Sequence, residues 1–282
     1  MLYPTSEIHM LVDGLLDHPE CVALGPDGNL YAGGEAGQVY RISPGGSGVH
    51  EYASTDGWCG GIAMDREGNA FVCDAKRREV MRVTPAGVCE TFSDGSAERK
   101  FVLPNYPVFD RHGNLYVSCS GGWKQRNGVI FRIAPTGETA LWSHGPFHFT
   151  NGLALDAAEK YLYVVESNLD RVLRIAIRED LTAGDVSVFA NEFARVPDGL
   201  AFDAAGNLYV TCYASHRLYC VSPAGVVEVL AEDSDGATLN EPTNCCFGGP
   251  DFDRLYVSNL GGYHLAALDL RVKGQKLYSH NG

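Results

Sequence analysis

Six positions of this chain are equivalent within a repeated unit, and five of them bear side-chain oxygen: Glu20, Asn105, Asn151, Asp198 and Asn244, with Gly60 as the sixth. Each polar residue stands one step before a short run of small or apolar residues, as Glu20 before Cys21-Val22-Ala23 and Asp198 before Gly199-Leu200-Ala201. Asn and Asp are depleted in strands, so their recurrence at the head of a strand asks for a cause. Two carboxylates converging to about 4 Å repel by roughly 4 kcal/mol at an effective dielectric near 20. A divalent cation removes that repulsion, or one carboxyl stays protonated. Carboxylate and amide oxygens are hard ligands, so Glu20, Asn105, Asn151 and Asp198 are expected to hold one divalent cation. Calcium leads, with zinc, manganese, magnesium and iron open. The plainer reading is that these residues cap strands and bind channel water.

The elements that would gather such a ring are written in the repeat. An apolar strand, a Gly-Asn type turn and a Leu-Tyr-Val strand recur at Gly28-Asn29-Leu30-Tyr31, Gly68-Asn69-Ala70-Phe71, Gly113-Asn114-Leu115-Tyr116, Lys160-Tyr161-Leu162-Tyr163, Gly206-Asn207-Leu208-Tyr209 and Asp253-Arg254-Leu255-Tyr256. The aromatic position advances by 40, 45, 47, 46 and 47 residues, and the ring position lies eleven or twelve residues before it. That is the period of a four-stranded propeller blade. A third strand of the type Val-x-Arg-Ile-x-Pro-x-Gly follows, as from Val39 to Gly46, then a fourth such as Val226 to Leu230. The expectation is one all-β domain over residues 1–282. It is a six-bladed β-propeller with four-stranded antiparallel blades around a central channel, whose innermost strands line the axis. The strand Ile8-His9-Met10-Leu11-Val12 has no sheet of its own and is expected to close the ring in the last blade.

Second strands ending in Glu35, Asp74, Ser120, Asn168, Tyr213 and Asn259 should ring the mouth of the site. Blade three carries extra residues there, Ser120 to Asn127, around Trp123, and reads as a substrate-contacting flap. Asn105, Tyr106, Trp123, His148, Tyr213 and Asn244 are the expected substrate contacts. His18 and His144 lie nearby and, with His148, could shuttle protons. A net charge of −13 opposes nucleic acid and anionic membranes. The N-terminus has no basic segment followed by an apolar run, and no apolar stretch of about 18 residues occurs. A cytoplasmic protein, monomeric or a small homo-oligomer, is expected, with its nine cysteines reduced and mostly buried. Gly-x-Ser-x-Gly, His-Glu-x-x-His and the Gly-x-x-x-x-Gly-Lys-Ser/Thr loop are missing.

Pro19-Glu20, Thr150-Asn151-Gly152-Leu153, Pro197-Asp198-Gly199-Leu200 and Thr243-Asn244-Cys245-Cys246-Phe247-Gly248-Gly249 resemble the gluconolactonase family, which includes regucalcin, over essentially the whole chain. The resemblance implies that Glu20, Asn151 and Asp198 bind one divalent metal, that Asn105 sits beside it or coordinates it, and that Asp198 is general base. It implies metal-dependent hydrolysis of a lactone, with Asp198 as base or nucleophile, and His148 or Glu35 as base if Asp198 is a ligand only. Sugar lactonases of the family carry an Arg, which binds substrate hydroxyls, where this chain has Leu103. Tyr106, Phe147, Phe149, Trp58 and Trp123 would make a more apolar pocket. Alternatives are a phosphoesterase or organophosphatase using the same ring, a strictosidine-synthase-like condensing enzyme, and a non-catalytic binding scaffold.

Overall fold

The computed structural model describes residues 2–280, and their strands form six four-stranded antiparallel sheets. Blade one holds Cys21–Leu24, Leu30–Gly33, Gln38–Ile42 and Val49–Ser54; blade two holds Cys59–Met64, Ala70–Asp74, Glu79–Val83 and Cys89–Ser93. Blade three holds Pro104–Phe109, Leu115–Cys119, Gly128–Ile133 and Thr139–Phe147; blade four holds Thr150–Leu155, Tyr161–Glu166, Arg171–Ile177 and Ala183–Ala190. Blade five holds Pro197–Phe202, Leu208–Cys212, Arg217–Val221 and Val227–Glu232. Blade six holds Pro242–Gly248, Arg254–Asn259 and Leu265–Asp269, and its outermost strand is Ile8–Leu11. The chain is a six-bladed β-propeller.

The first strand of every blade touches the first strands of both neighbours, including blade six against blade one, so the innermost strands form a complete ring. Closure comes from Ile8–Leu11, which pairs antiparallel with the third strand of blade six, Ile8 opposite Leu268 and Leu11 opposite Leu265. The strand stops one residue earlier than the sequence suggests. Val12 takes φ 52° and turns its buried side chain into the cluster between blades six and one.

Local chemistry explains the repeat. In the Asp-x-x-Gly-Asn hairpins the Asp carboxylate takes both the backbone N–H and the side-chain N–H of the Asn. Distances are 2.7 and 2.7 Å for Asp65–Asn69, and 2.8 and 2.7 Å for both Asp110–Asn114 and Asp203–Asn207. The carboxylate thereby meets donors that the tight turn leaves without a ladder partner. The repeated aromatic packs edge-on against its neighbours, as Phe71 on Phe92 and Phe109, and Tyr163 on Phe189 and Phe202. Such pairs contribute about 0.5–1.5 kcal/mol each beyond their buried area. The apolar core falls into six clusters, each wedged between two adjacent blades. The cysteines are free, and seven of the nine are buried.

The two ends of the channel differ. The C-terminal segment crosses the far ends of the first strands: Gln275 N–H donates to Phe202 O at 2.9 Å, Gln275 Nε2 to Leu155 O at 3.0 Å and His280 Nε2 to Leu24 O at 3.3 Å. Leu277 and Tyr278 line the apolar space beneath. Access to the axis is therefore from the end where the first strands begin. Among the described residues no helix is long and apolar enough to cross a membrane.

Ile8 is 93% shielded from solvent, at 7% exposure, and packs in the cluster between blades five and six. Ile8→Ala should lower unfolding free energy by about 2–4 kcal/mol, read as a shift of the denaturant midpoint. An unchanged midpoint would mean that the N-terminal strand does not close the ring.

Candidate functional site

The ring residues head their strands because the strands are bulged there. In blade three Pro104 pairs with Cys119 and the next pair is Pro107 with Val117, so Asn105 and Tyr106 face one residue of the partner. The same extra residue occurs at Thr150/Leu153, Pro197/Leu200, Pro242/Cys245 and Cys59/Ile62. Each bulge brackets the ring position. In blade one regular pairing begins at Cys21, just past Glu20. A bulge re-aims a side chain and removes ladder bonds, which is how Asn and Asp come to occupy a strand without serving in the ladder.

Hydroxyls replace the lost ladder bonds. Ser118 Oγ accepts the Tyr106 N–H at 3.0 Å, Thr211 Oγ1 the Gly199 N–H at 2.8 Å and Ser258 Oγ the Asn244 N–H at 3.0 Å. Other hydroxyls tie three strand heads to the preceding blade: Ser120 donates to Thr150 O at 2.6 Å, Ser167 to Pro197 O at 2.8 Å and Thr243 to Glu20 O at 2.7 Å. The glycines after two ring residues permit the blades to close. A β-carbon on Gly152 would strike the carbonyl oxygen of Asp198, and one on Gly199 would strike Thr243 O and Asn244 Oδ1.

Glu20, Asn151, Asp198 and Asn244 are all buried, and Asn105 is half-buried. Among the described residues, Glu20 Oε2, Asn151 Oδ1, Asp198 Oδ1 and Asn244 Oδ1 have no hydrogen-bond partner. The amide orientations follow from polarity. Ser167 Oγ gives its proton to Pro197 O, so it accepts from Asn151 Nδ2 at 3.2 Å, which leaves Asn151 Oδ1 free. Asn244 Nδ2 donates to Glu20 O at 3.3 Å, an atom that can only accept, so Asn244 Oδ1 is likewise unpaired. Burial pushes the Glu20 carboxyl well above its usual range, and the charges of Asp198 and then Glu35 add to it. Burial raises Asp198 too, against the pull of the Asn151 side chain. Leaving four buried oxygens unsatisfied costs about 1–3 kcal/mol apiece, and a hard cation would satisfy those of Glu20, Asn151 and Asp198 together. Among the described residues no three His, Cys, Asp or Glu gather as a metal cluster; here two carboxylates are supplemented by amide oxygens, a donor set that fits a hard divalent ion.

Glu20, Asn105, Asn151 and Asp198 line one pocket of about 240 Å³, walled by Trp58, Ala75, Leu103, Pro104, Trp123, Phe149, Val196, Tyr213 and Leu260. Trp123 stands on the Ser120–Asn127 loop, edge-on to Phe149 at 4.9 Å. The loop is braced by Asn127, whose Oδ1 accepts from Gly122 N at 2.9 Å. Three expected contacts, Tyr106, His148 and Asn244, lie outside the pocket wall. Tyr106, second residue of the blade-three bulge, is buried among the residues lining the apolar channel beneath the ring, one step further along the strand from the mouth. His148 lines a neighbouring cleft with Arg126 and Arg171; its backbone N–H donates to Glu166 Oε1 at 2.7 Å. Phe147 lies in that cleft and the interblade core. Asn244 belongs to the ring but not to the pocket wall. Of the mouth residues, Asp74 Oδ1 holds Trp58 N–H at 3.2 Å and Arg77 N–H at 2.8 Å. His18 sits outside the pocket against Asp17, Glu35 and Tyr263. Val196, Leu260 and Ala75 were not legible as wall residues, since nothing in their local pattern marks them. The hydroxyls of Ser118, Thr211 and Ser258 do carry a signal: each falls two residues after the repeated aromatic.

Residues 35–260 match the sequence profile of the SMP-30/gluconolactonase/LRE-like region. The chain belongs to this family. Residues 6–42, which include Glu20, also match the strictosidine synthase-like N-terminal profile. A pentonolactonase of Haloferax volcanii is 26% identical over 245 residues, 81% of this chain and 76% of that protein. Regucalcin of Xenopus laevis is 30% identical over 141 residues, 48% of this chain, which spans 45% of that protein's length. A crystal structure of a calcium-binding regucalcin from Agrobacterium tumefaciens superposes with TM-score 0.81 at 16% identity, covering 100% of this chain and 99% of that one, and shares the fold.

The raised carboxyls give a signed pH dependence. The folded protein without metal keeps protons that the unfolded chain releases near pH 4, so unfolding becomes easier as pH rises from there towards the raised folded values. In chelator the melting temperature should fall between about pH 5 and pH 8; excess Ca²⁺, or Glu20→Gln without metal, should flatten the slope. A slope identical in wild type and Glu20→Gln would contradict this electrostatic account.

Proposed function

We propose that this chain is a metal-dependent lactonase, a hydrolase that opens a cyclic ester at the ring of Glu20, Asn105, Asn151 and Asp198. The observation that carries this reading is the set of partnerless buried oxygens at the floor of a pocket in a chain of this family. Glu20, Asn151 and Asp198, with Asn105 beside them, would hold one divalent ion, and the hard donor set favours calcium. A relative described as a calcium-binding regucalcin supports that choice. Such an ion supplies Lewis acidity toward a carbonyl oxygen and makes a bound water more acidic.

The chain's own groups do the rest. Asp198 accepts the proton of the attacking water as the water oxygen bonds to the lactone carbonyl carbon. It returns that proton to the ring oxygen as the carbon–oxygen bond breaks, releasing a hydroxy acid. Asn151 orients Asp198 and is itself fixed by Ser167. Trp58, Leu103 and Phe149 keep bulk water from the reacting carbonyl. No Lys, Arg or His lines the pocket among the described residues, which disfavours a phosphoester as substrate.

A second reading, condensation in the manner of strictosidine synthase-like proteins, rests on the match at residues 6–42. It requires neither metal nor water as reactant. Chelation and incorporation of ¹⁸O from labelled water into the product separate the two.

Asp198→Asn should lower kcat for lactone opening by at least about 10²-fold at saturating metal with occupancy verified. The amide preserves shape and one ligand oxygen but takes no proton. Near wild-type turnover in a fully loaded variant would remove Asp198 as base, and turnover unaffected by chelation would remove the metal.

A further inference from the structure

Resting on the lactonase reading, we infer that the substrate is an uncharged lactone carrying an apolar alkyl or aryl substituent, and not a polyhydroxylated sugar lactone. The floor of the pocket is polar, but the wall above it is Trp58, Leu103, Trp123, Phe149, Val196 and Leu260. Among the described residues that line it there is no Lys, Arg, His, Ser or Thr. The one wall hydroxyl, on Tyr213, stands beside the Glu241 carboxylate; burial and that charge push the phenol up to about 12. A sugar lactone seated with its carbonyl on the floor would press several hydroxyls against carbon, each stripped of water and given no partner. An alkyl or aryl group in the same place gains about fourfold in affinity per buried methylene.

The flap extends this wall. Trp123 is 50% exposed, yet its ring is held edge-on against Phe149 at the pocket. An exposed indole at the rim, backed by a braced loop, offers apolar surface to a substituent reaching out of the pocket. Charge points the same way. The chain carries −13 net charge, so an anionic substrate is opposed.

Two of the chain's three tryptophans, Trp58 and Trp123, line the site, so intrinsic fluorescence reports its occupancy. Calcium-loaded protein is titrated with two non-hydrolysable lactams, a hexyl-substituted δ-valerolactam and D-glucono-δ-lactam. Turnover is measured in parallel on the corresponding lactones. The hexyl compounds should bind, and be hydrolysed with kcat/KM, at least about 100-fold better than the sugar compounds. Leu103→Arg, which places donors in the wall, should cut that preference at least about tenfold. Equal or tighter binding of the gluconolactam overturns the inference and leaves the lactonase reading standing. Tight binding of the hexyl lactam with no lactone hydrolysed supports the apolar pocket and overturns the lactonase reading.

Discussion

Two buried carboxylates and two buried amide oxygens are gathered at one end of the propeller axis with no hydrogen-bond donor to meet Glu20 Oε2, Asn151 Oδ1, Asp198 Oδ1 or Asn244 Oδ1. Much of the surrounding structure serves to hold them so. Bulges in five blades turn the ring position out of its ladder. Hydroxyls of Ser118, Thr211 and Ser258 take up the backbone groups those bulges release. Gly152 and Gly199 let consecutive ring residues approach more closely than a β-carbon would permit. The cation proposed for this site would offset that electrostatic cost, which the fold otherwise fixes in place from several sides.

The scaffold separates stability from chemistry. Six apolar wedges between blades, with the edge-on aromatics of the repeat, carry the packing. The N-terminal strand closes the last blade, and the C-terminal segment covers the far end of the channel. The polar ring is left facing one entrance, where loops rather than core strands build the wall. Those loops are where Leu103, Trp123, Phe149 and Val196 come from, and they can change without disturbing the wedges.

The six blades and their closure were legible because hairpin chemistry and the aromatic position repeat in the sequence, and period is a local property. The ring was legible for the same reason: aligning the chain with itself places Glu20, Asn105, Asn151, Asp198 and Asn244 in one register. The wall was less so. Tyr106 adjoins Asn105 in sequence but lies below the ring, because the bulge that turns Asn105 to the mouth sends the strand on down the channel. His148 lies next to Phe149, yet it lines the cleft that holds the Glu166–Arg171 pair, and its backbone N–H is tied to Glu166. Val196 and Leu260 come to one pocket wall from blades five and six, a juxtaposition that only the assembled blades create.

Glu20, Asn151 and Asp198, with Asn105 beside them, are proposed to form one cation site. Calorimetric titration of metal-free protein with Ca²⁺ tests it most directly, with Asn151→Ala and Glu20→Gln as comparisons. The account predicts one ion per chain, weakened at least about tenfold in each variant. No binding by the wild type, or binding that neither substitution weakens, would contradict it.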